Sequence, residues 1–554
     1  MSETLLGQSY FLRFDPKLWQ AMQPYPPLGT LYAASTLRSR GYEVAVFDAM
    51  LAESEADWDE ALQRHGPRFA VLYEDNFNYL SKMCLLRMRQ AALTMIEMAR
   101  KRGCTVVVAG SDATDHADLY LARGADFVLI GEGEETLGEL MDRLTGRSQT
   151  PLGDIAGLAY VDDRPQTIDH GLPIVRSPRS VVRSPRSVVR TPRRPDLHDL
   201  DALPFPAWDL VQIDRYRKLW LDRHGYFSMN MVTTRGCPFH CNWCAKPIWG
   251  QRYHARSPEN VVSEMRWLAH AFQPDHIAFA DDIFGLKPGW ISRFAERLEV
   301  DGIRIPFKCL NRADLLLREG EVEALRRAGC QIAWIGAESG AQATLDAMEK
   351  GTKVEQIYEA ARRLHGAGIR VGFFLQFGYP GETRADIAKT LRMVHECRPD
   401  DIGVSVSYPL PGTKFHAAVA GQLGEKQNWM DSSDLAMMYR GPFTTAFYRR
   451  LHGLVHKEFR ARKTWRELRR AVLQPRTLRF SHLRRAARMV AQGATLPLDW
   501  LALQFLACRP HEGLSLSAPR MTQEAAAVPT LQPDARPEET RSTTVSPDPT
   551  RALR

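Results

Sequence analysis

Three cysteines in one short loop are the residues of this sequence best suited to chemistry. Cys237, Cys241 and Cys244 stand in the pattern CxxxCxxC. Three thiolates can hold a soft metal centre, but they leave one position of a tetrahedral or cubane site without a protein ligand. Structural zinc would close that position, with His240 as the fourth ligand. An iron–sulfur cube with one open iron would instead be a catalytic centre.

Length and composition describe a protein of several domains without a membrane span. The chain has 554 residues, of which 44% are hydrophobic and 25% charged, as in ordinary soluble proteins. Its nine cysteines do not form a disulfide framework, so we expect a reducing, cytoplasmic location. The N-terminus lacks the features of a signal peptide, and no stretch reaches the ~20 apolar residues of a transmembrane helix.

The positive net charge comes from two segments. The formal net charge is +8, and Lys and Arg are concentrated in residues 176–194 and after Tyr448. Because the cysteine loop is not a basic patch with interleaved aromatic residues, nucleic-acid binding is not expected. The basic C-terminal helices either make a peripheral membrane contact or pack as solvated helices against the rest of the protein. We favour the second alternative.

Residues 1–145 alternate short Val, Ile and Leu runs with amphipathic stretches. This order predicts a Rossmann-like, doubly wound parallel sheet, in which ligands bind at the carboxyl ends of the strands. The motif GxGxxG is missing after the first strand, which disfavours a dinucleotide site. The candidate ligand-binding residues at the predicted strand ends are Asp48, Gly110, Ser111, Gly131, Glu132 and Gly133.

Residues 226–420 repeat the alternation of strand and helix six times. Six such units predict a partial TIM-type (β/α)6 barrel with its active site at the strand C-termini. Ser257 and Pro258 predict the start of the helix after the cysteine loop, with a hydroxyl at the N-cap and proline at the first position. The polar or glycine-rich residues that follow the predicted strands are Asp281, Asp282, Asn311, Arg312, Glu338, Ser339, Gly378 and Pro380.

Three other segments complete the predicted organisation. Residues 146–225 form a connector with a predicted strand at 155–161 and the tandem repeat RSPRSVV within 176–189, which we expect to be an exposed strap. Residues 421–514 form the basic helical extension. Residues 515–554 are rich in Pro, Thr and Glu and are predicted to be disordered.

The cysteine loop, with Trp243 before its last cysteine, resembles the cluster loop of the radical S-adenosylmethionine (SAM) enzymes. The resemblance extends over the whole predicted barrel. It implies that Cys237, Cys241 and Cys244 hold a [4Fe-4S] cluster whose fourth iron is chelated by SAM. It also implies an electron donor, such as a flavodoxin or ferredoxin, for the cleavage of SAM to a 5′-deoxyadenosyl radical.

The same resemblance implies roles for the strand-end residues. Asp281 or Asp282 would contact the ammonium group of SAM, and Glu338, beside Ser339, would contact its ribose. The glycines near Gly378, in the run that includes Pro380, would let the backbone approach adenine or methionine.

The first domain is similar to the cobalamin-binding domain that precedes many radical SAM domains. The sequences PPLG near its start and GADFVLIGEGEETL near its end carry the similarity. The cobalt-ligating loop Asp-x-His-x-x-Gly is missing, and His116, the nearest in kind, has the wrong spacing. The similarity therefore implies bound cobalamin whose cobalt receives no histidine ligand from this chain.

The combination implies a cobalamin-dependent radical SAM enzyme of the class B methyltransferase or anaerobic cyclase branch. The leading hypothesis is methylation of an unactivated carbon in a small-molecule or natural-product substrate. The stretch CAKPIWGQRYHARSPENVV is similar to anaerobic magnesium-protoporphyrin monomethyl ester cyclases, so an oxidative cyclisation of a tetrapyrrole or similar substrate is the alternative. A non-enzymatic cobalamin or redox sensor is a third hypothesis, disfavoured because a sensor does not need the SAM-site strand ends.

Overall fold

Two sheets with helices packed against them organise the chain, the first mostly parallel and the second wholly parallel. A computed structural model describes residues 3–83, 85–162, 187–244, 248–473 and 480–508. A seven-stranded sheet lies in the first part of the chain and a six-stranded sheet in the second. These sheets confirm the two α/β units that the alternation of apolar runs and amphipathic stretches predicts.

The first sheet has the doubly wound form that its apolar runs predict. Its strand order is β2-β1-β3-β4-β5-β6-β7, and the first five strands are parallel. Alternate residues of β3 enter two cores, one on each face: Ala70 packs in one core and Val71 in the other. The strands are β1 (Thr4–Gly7), β2 (Val44–Phe47), β3 (Phe69–Tyr73), β4 (Thr105–Ala109), β5 (Phe127–Leu129), β6 (Leu158–Asp162) and β7 (Ser187–Arg190).

Helices cover both faces of this sheet. Gly29 lies near the N-terminus of the second helix, where an added Cβ would come within 3.0 Å of the Glu74 carbonyl oxygen. Glycine at this position therefore lets the helix approach the loop that follows β3. The helices are α1 (Pro16–Ala21), α2 (Leu28–Ser39), α3 (Glu55–His65), α4 (Tyr79–Lys82), α5 (Leu86–Lys101), α6 (Ser111–Asp115), α7 (Ala117–Ala122) and α8 (Glu134–Leu144).

The first sheet continues beyond residue 145 into the segment predicted as a connector. β6 runs antiparallel to β5, and β7 antiparallel to β6, so the two strands cover the edge that β5 would otherwise expose. The strand predicted at 155–161 corresponds to β6. Most of the tandem repeat lies outside the described residues, apart from its last residues in β7.

The second sheet is the partial barrel. Its six strands are all parallel, in the order β15-β14-β13-β12-β11-β8, while β9 and β10 pair separately as a short ribbon. The prediction of a six-stranded TIM-type barrel is confirmed. The strands are β8 (Ser228–Met231), β9 (Thr234–Arg235), β10 (His254–Ala255), β11 (His276–Phe279), β12 (Phe307–Asn311), β13 (Cys330–Glu338), β14 (Arg370–Phe377) and β15 (Asp401–Val406).

Helices surround the barrel on its outer face. The side chain of Ser257 accepts a hydrogen bond from the Asn260 backbone N–H and Pro258 is the first helical residue, as the sequence predicts. The helices are α9 (Ile213–His224), which precedes the barrel, and α10 (Pro258–Ala271), α11 (Trp290–Val300), α12 (Glu321–Ala328), α13 (Gln342–Ala347), α14 (Val354–Gly366), α15 (Arg384–Cys397) and α16 (Lys414–Val419).

Two long helices, α17 (Thr445–Leu473) and α18 (Phe480–Ala507), form the basic extension. The inner face of α17 joins the core of the barrel through buried side chains that include Tyr448, Leu451 and Val455. Among the described residues, no helix combines the length and hydropathy needed to cross a bilayer. The tail at 515–554 lies outside the described residues.

Candidate functional site

The cysteine loop begins after β9, at the carboxyl end of the barrel strands. Cys237 is buried against Ile283 and Leu315, while Cys241 and Cys244 are half-buried. Among the described residues, no three His, Cys, Asp or Glu side chains converge on the position of a single ion. An iron–sulfur cube binds each thiolate at a different iron, so its three ligands do not need to converge as those of zinc do.

Two cations accompany the thiols. The Nη1 of Arg312 lies 3.9 Å from the Sγ of Cys241, and its guanidinium stacks 3.6 Å from the centre of the Phe239 ring. Lys350 is buried and its Nζ donates to Glu338 Oε1 at 2.9 Å. Burial lowers the pKa of Lys350, but Glu338 and Cys241 raise it above its usual value. Positive charge at these positions offsets the negative charge of thiolate ligands.

Glu338 is held in an unusual backbone conformation at the end of β13. Its φ is 57°, in the left-handed region that side chains other than glycine rarely adopt, and the register of β13 against β14 shifts between Gly336 and Glu338. This irregularity places its buried carboxylate beside Lys350. The neighbouring Ser339 is fully buried, and its Oγ lies 3.1 Å from Thr390 Oγ1.

Asp281 anchors the turn that leads into the cysteine loop. Its Oδ1 accepts from the backbone N–H groups of Thr233 and Thr234 at 2.7 Å each, and the two hydroxyls also donate to the carboxylate. Burial raises the pKa of Asp281 to about 6, although these hydrogen bonds lower it. The carboxylate of Asp282 is paired with Lys82 of the first domain, at 2.7 Å. Each carboxylate is thus already engaged within the chain.

Replacing Asp281 with alanine is expected to reduce the iron bound after anaerobic reconstitution by at least half. The change leaves two backbone N–H groups in a buried site without an acceptor, at about 1–3 kcal/mol each. Asp281→Asn keeps one acceptor oxygen and should have an intermediate effect. Iron per chain and the thermal midpoint are the measurements, with the exposed Asp214→Ala as control. Full iron content in Asp281→Ala would contradict the anchoring role.

Gly378 begins the turn after β14, in the left-handed conformation with φ at 84°. Its N–H donates to Glu382 Oε2 at 2.7 Å, and its carbonyl accepts from the Tyr439 hydroxyl. Pro380 is exposed in the same turn. Burial raises the pKa of Glu382 to about 8, although the Gly378 N–H lowers it.

This buried carboxyl predicts a pH dependence of stability. Because the folded pKa of Glu382 lies above its unfolded value, its stabilising effect is complete below about pH 4.5 and is lost as the pH rises to about 8. Glu382→Gln, which mimics the protonated acid, is expected to flatten the decline in the free energy of unfolding between pH 6 and 8 by up to about 1.4 kcal/mol per pH unit. Urea unfolding at several pH values between 6 and 8 measures the free energy of unfolding. An unchanged slope would show that Glu382 titrates normally.

The strand ends of the first sheet form closely packed turns. An added Cβ at Gly110 would lie 2.7 Å from the Glu74 Cβ, and one at Gly133 would lie 2.9 Å from the Tyr73 ring. The Ser111 side chain is buried beside Asn76, and the Gly131 N–H donates to the Thr114 hydroxyl at 3.2 Å. The predicted residues therefore lie together at one edge of the sheet.

Arg235, just before the cysteine loop, joins the two domains. Its guanidinium contacts Glu132 Oε1 at 3.1 Å and Glu134 Oε1 at 2.6 Å, and the three side chains are at most 8% exposed. Although burial raises it, the pKa of Glu134 is lowered overall because Arg235 favours the ionised form. Glu132 also accepts from the Leu197 N–H at 2.6 Å. The sequence analysis placed Glu132 at a ligand-binding edge but did not predict its partner.

Tyr79 lies in α4, the helix whose Lys82 pairs with Asp282 of the barrel at 2.7 Å. Its side chain is 56% exposed. The ion pair brings α4 of the first domain to the strand ends of the barrel. Nothing in the local sequence pattern of this helix indicates a partner in the barrel.

His116 is the histidine nearest in kind to a cobalt ligand, and it contacts Asp112 of its own domain. Its Nδ1 lies 3.1 Å from Asp112 Oδ1, and this hydrogen bond raises the pKa of His116. Asp112 is also held by Arg89 at 2.5 Å and by the Tyr120 hydroxyl at 2.7 Å.

The border between the domains has polar groups suited to cobalamin. Phe77 and Trp249 stack with their ring centres 5.0 Å apart, and Lys82 Nζ lies 5.1 Å from the Trp249 ring. The Ser81 Oγ and Trp249 Nε1 atoms are buried and have no hydrogen-bond partner among the described residues. The amide-bearing rim of a corrin ring can supply such partners, so the residues present fit this group.

Comparisons with known proteins agree with the two domains. The description "Radical SAM superfamily" matches residues 231–394, and "B12 binding domain" matches residues 20–141. An uncharacterized methyltransferase from Pyrococcus horikoshii is 26% identical over 413 residues, which are 73% of this chain and 81% of the relative. An anaerobic magnesium-protoporphyrin IX monomethyl ester cyclase from Synechocystis is 25% identical over 348 residues, 62% of this chain and 63% of the relative.

A solved structure shares the fold. The radical SAM methyltransferase TsrM from Kitasatospora setae, with cobalamin and a [4Fe-4S] cluster bound, matches with a TM-score of 0.58 and 19% identity. The match covers 76% of this chain and 78% of TsrM. At this identity, the likeness bears on the fold alone.

A radical SAM barrel joined to a B12-binding domain defines a distinct class of enzymes. The chain belongs to the cobalamin-binding radical SAM enzymes. Its cofactors are a [4Fe-4S] cluster, SAM and cobalamin, as the resemblance implies. It is accordingly an enzyme, and the hypothesis of a non-enzymatic sensor is not retained.

Proposed function

We propose that this enzyme methylates an unactivated carbon of a small-molecule substrate held between its two domains. One observation carries the proposal: Lys82 of the B12-binding domain pairs with Asp282 at the strand ends of the barrel, at 2.7 Å, beside the stacked rings of Phe77 and Trp249. A methyl carrier and a radical generator must both reach the same substrate carbon, and contact between the two domains at the strand ends meets that requirement. Similarity to the Pyrococcus methyltransferase supports methyl transfer.

The residues have separate roles in this proposal. Cys237, Cys241 and Cys244 hold the cluster, and Arg312 and Lys350 offset the negative charge of the thiolates. SAM bound there supplies, after one-electron reduction by a donor such as a flavodoxin or ferredoxin, the radical that removes a hydrogen atom from carbon.

The strand ends orient SAM and keep the turns rigid. The buried Lys350–Glu338 pair offers an ammonium group for the SAM carboxylate and a carboxylate for its ribose or ammonium group. Gly378 lies in the turn that Glu382 and Tyr439 hold, and in this proposal the turn borders the adenine or methionine side of SAM. Asp281 holds the turn before the cysteine loop by accepting hydrogen bonds from its backbone. Asp282 pairs with Lys82 at the border between the domains.

At the domain border, the stacked Phe77 and Trp249 exclude water from the space beside the cobalamin edge. In this proposal, Gly110, Ser111, Gly131, Glu132 and Gly133 shape that edge. A substrate radical formed in the same space is thereby protected from solvent.

An oxidative cyclase is the second candidate function. The similarity to the Synechocystis cyclase, 25% identity over 348 residues, favours it. In this alternative, the substrate at the domain border is oxidised rather than methylated. The cysteines and the strand ends would keep the same roles.

Incubation with methyl-labelled SAM distinguishes the methyltransferase from the cyclase. The reconstituted enzyme, supplied with cobalamin, a reductant and extracts containing candidate substrates, is expected to transfer the label to a product and, before that, to the cobalamin fraction. Mass spectrometry of both fractions measures the transfer. Cleavage of SAM with an oxidised, unlabelled product and unlabelled cobalamin would favour the cyclase and contradict methylation.

A further inference from the structure

Part of the inner wall of the barrel is exposed. In a closed TIM barrel, the inward side chains fill the interior as a packed core. Here the outward residues of the strands, such as Phe373 and Ile335, are buried against helices, whereas most of the alternate, inward residues are partly exposed. The partly exposed inward residues include Lys308, Leu310, Trp334, Gly336, Phe374 and Gly403.

Two stacked aromatic rings, which we call the platform, lie on the inner wall. Trp334 of β13 and Phe374 of β14 stack with their ring centres 4.7 Å apart and their planes at 27°. Two glycines make room for them: an added Cβ at Gly372 would lie 2.3 Å from the Trp334 ring, and one at Gly403 would lie 3.0 Å from the Phe374 ring. The stacked pair therefore packs close to the sheet, and 37% of Phe374 remains exposed.

Two cations lie beyond the platform, at the end of the barrel away from the cysteine loop. Lys308 and Arg370 stand in one register layer, because both pair with Ile332 of β13. Neither forms a salt bridge among the described residues, and Lys308 Nζ lies 5.0 Å from the Tyr25 ring. Burial and the positive charges of Lys308 and Arg370 together lower the pKa of His276 to about 3.

The platform lies below the carboxyl ends of the barrel strands, within reach of a molecule that also extends to the SAM site. Phe374 is two residues before Gln376, which lies near the carboxyl end of β14. β14 ends at Phe377, three residues after Phe374, so at about 3.3 Å per residue the platform lies roughly 10 Å below the strand ends. A ring system resting on it would present one edge to the SAM site and the other to the cations.

We propose that the substrate is a flat, apolar ring system with an anionic group, whose rings lie on Trp334 and Phe374 and whose anion points to Lys308 and Arg370. Aromatic faces favour flat apolar partners, and the paired cations favour a carboxylate or another anion. This inference rests on the proposed function, since it names the class of molecule on which the radical acts.

Equilibrium dialysis of the reconstituted holoenzyme with two probes tests the proposal. The probes are 1-pyrenebutyrate and its uncharged analogue 1-pyrenebutanol. We expect one molecule of the carboxylate to bind per chain, about 10-fold more tightly than the alcohol. Phe374→Leu is expected to weaken both probes about 10-fold, and Lys308→Met to weaken only the carboxylate. Phe505→Leu, which alters an exposed ring of α18 outside the barrel, should change neither.

Equal affinity of the wild-type enzyme for the two probes would overturn the proposal, and this comparison needs no variant. Binding that is insensitive to Phe374→Leu but lost in Phe505→Leu would also overturn it. Formation of 5′-deoxyadenosine by the wild-type enzyme without any probe is measured in parallel. Its absence would refute the proposed function, whereas its presence with equal probe affinities would refute only this inference.

Discussion

Changing Cys241 to alanine is expected to reduce the formation of 5′-deoxyadenosine from SAM by about 100-fold or more. Loss of one thiolate leaves a second iron of the cube without its protein ligand, so the cluster is not retained in its active form. Cluster absorbance, iron per chain and 5′-deoxyadenosine yield after anaerobic reconstitution measure the effect. Cys237→Ala and Cys244→Ala should behave in the same way.

The matched control is Cys397→Ala. Cys397 is also half-buried, but it lies at the end of α15 on the outside of the barrel. We expect this variant to keep wild-type iron content and SAM cleavage. A Cys241→Ala protein with both the cluster and SAM cleavage intact would contradict the assignment of the cluster to this loop.

Changing Arg235 to methionine is expected to have the largest effect on stability. The change leaves Glu132 and Glu134 buried without their cation, which typically costs about 3–5 kcal/mol. These two ion pairs join the turn at residues 131–134 of the B12-binding domain to the start of the cysteine loop. Cobalamin and iron should therefore both be retained less well. The thermal midpoint and the content of both cofactors are the measurements.

Neutralising the two unpaired carboxylates should restore much of the stability that Arg235→Met loses. Glu132→Gln and Glu134→Gln, added together to Arg235→Met, replace the two carboxylates with neutral amides of similar shape and are expected to recover most of the thermal midpoint. Arg293→Met, at an exposed salt bridge with Glu259, is the control and should leave the midpoint unchanged. An Arg235→Met protein as stable as the wild type would show that this contact does not couple the domains.

Local patterns in the sequence predict much of this architecture. The spacing of the three cysteines indicates their chemistry, because it concerns residues within one loop. The apolar runs predict the strands, and the rule that sites lie at strand C-termini brings Asp281, Glu338 and Gly378 to one end of the barrel. The N-cap at Ser257 is confirmed for the same reason, since it depends on adjacent residues alone.

Contacts between distant segments are not predictable in this way. Arg235 meets Glu132 across 103 positions, and Lys82 meets Asp282 across 200 positions, only because the two domains pack together. The hydrogen bonds of Asp281 give it a structural anchor role that its position at a strand end does not reveal. The platform of Trp334 and Phe374 depends on the register of β13 to β15, which the sequence alone does not specify.

The central claim is that a [4Fe-4S] cluster in the Cys237–Cys244 loop binds and cleaves SAM. Its most direct test is the anaerobic incubation of the fully reconstituted wild-type protein with SAM and dithionite, followed by quantification of 5′-deoxyadenosine and methionine. We predict that the two products form in equal amounts and only with the cluster present. Full cluster occupancy without any 5′-deoxyadenosine would contradict the account.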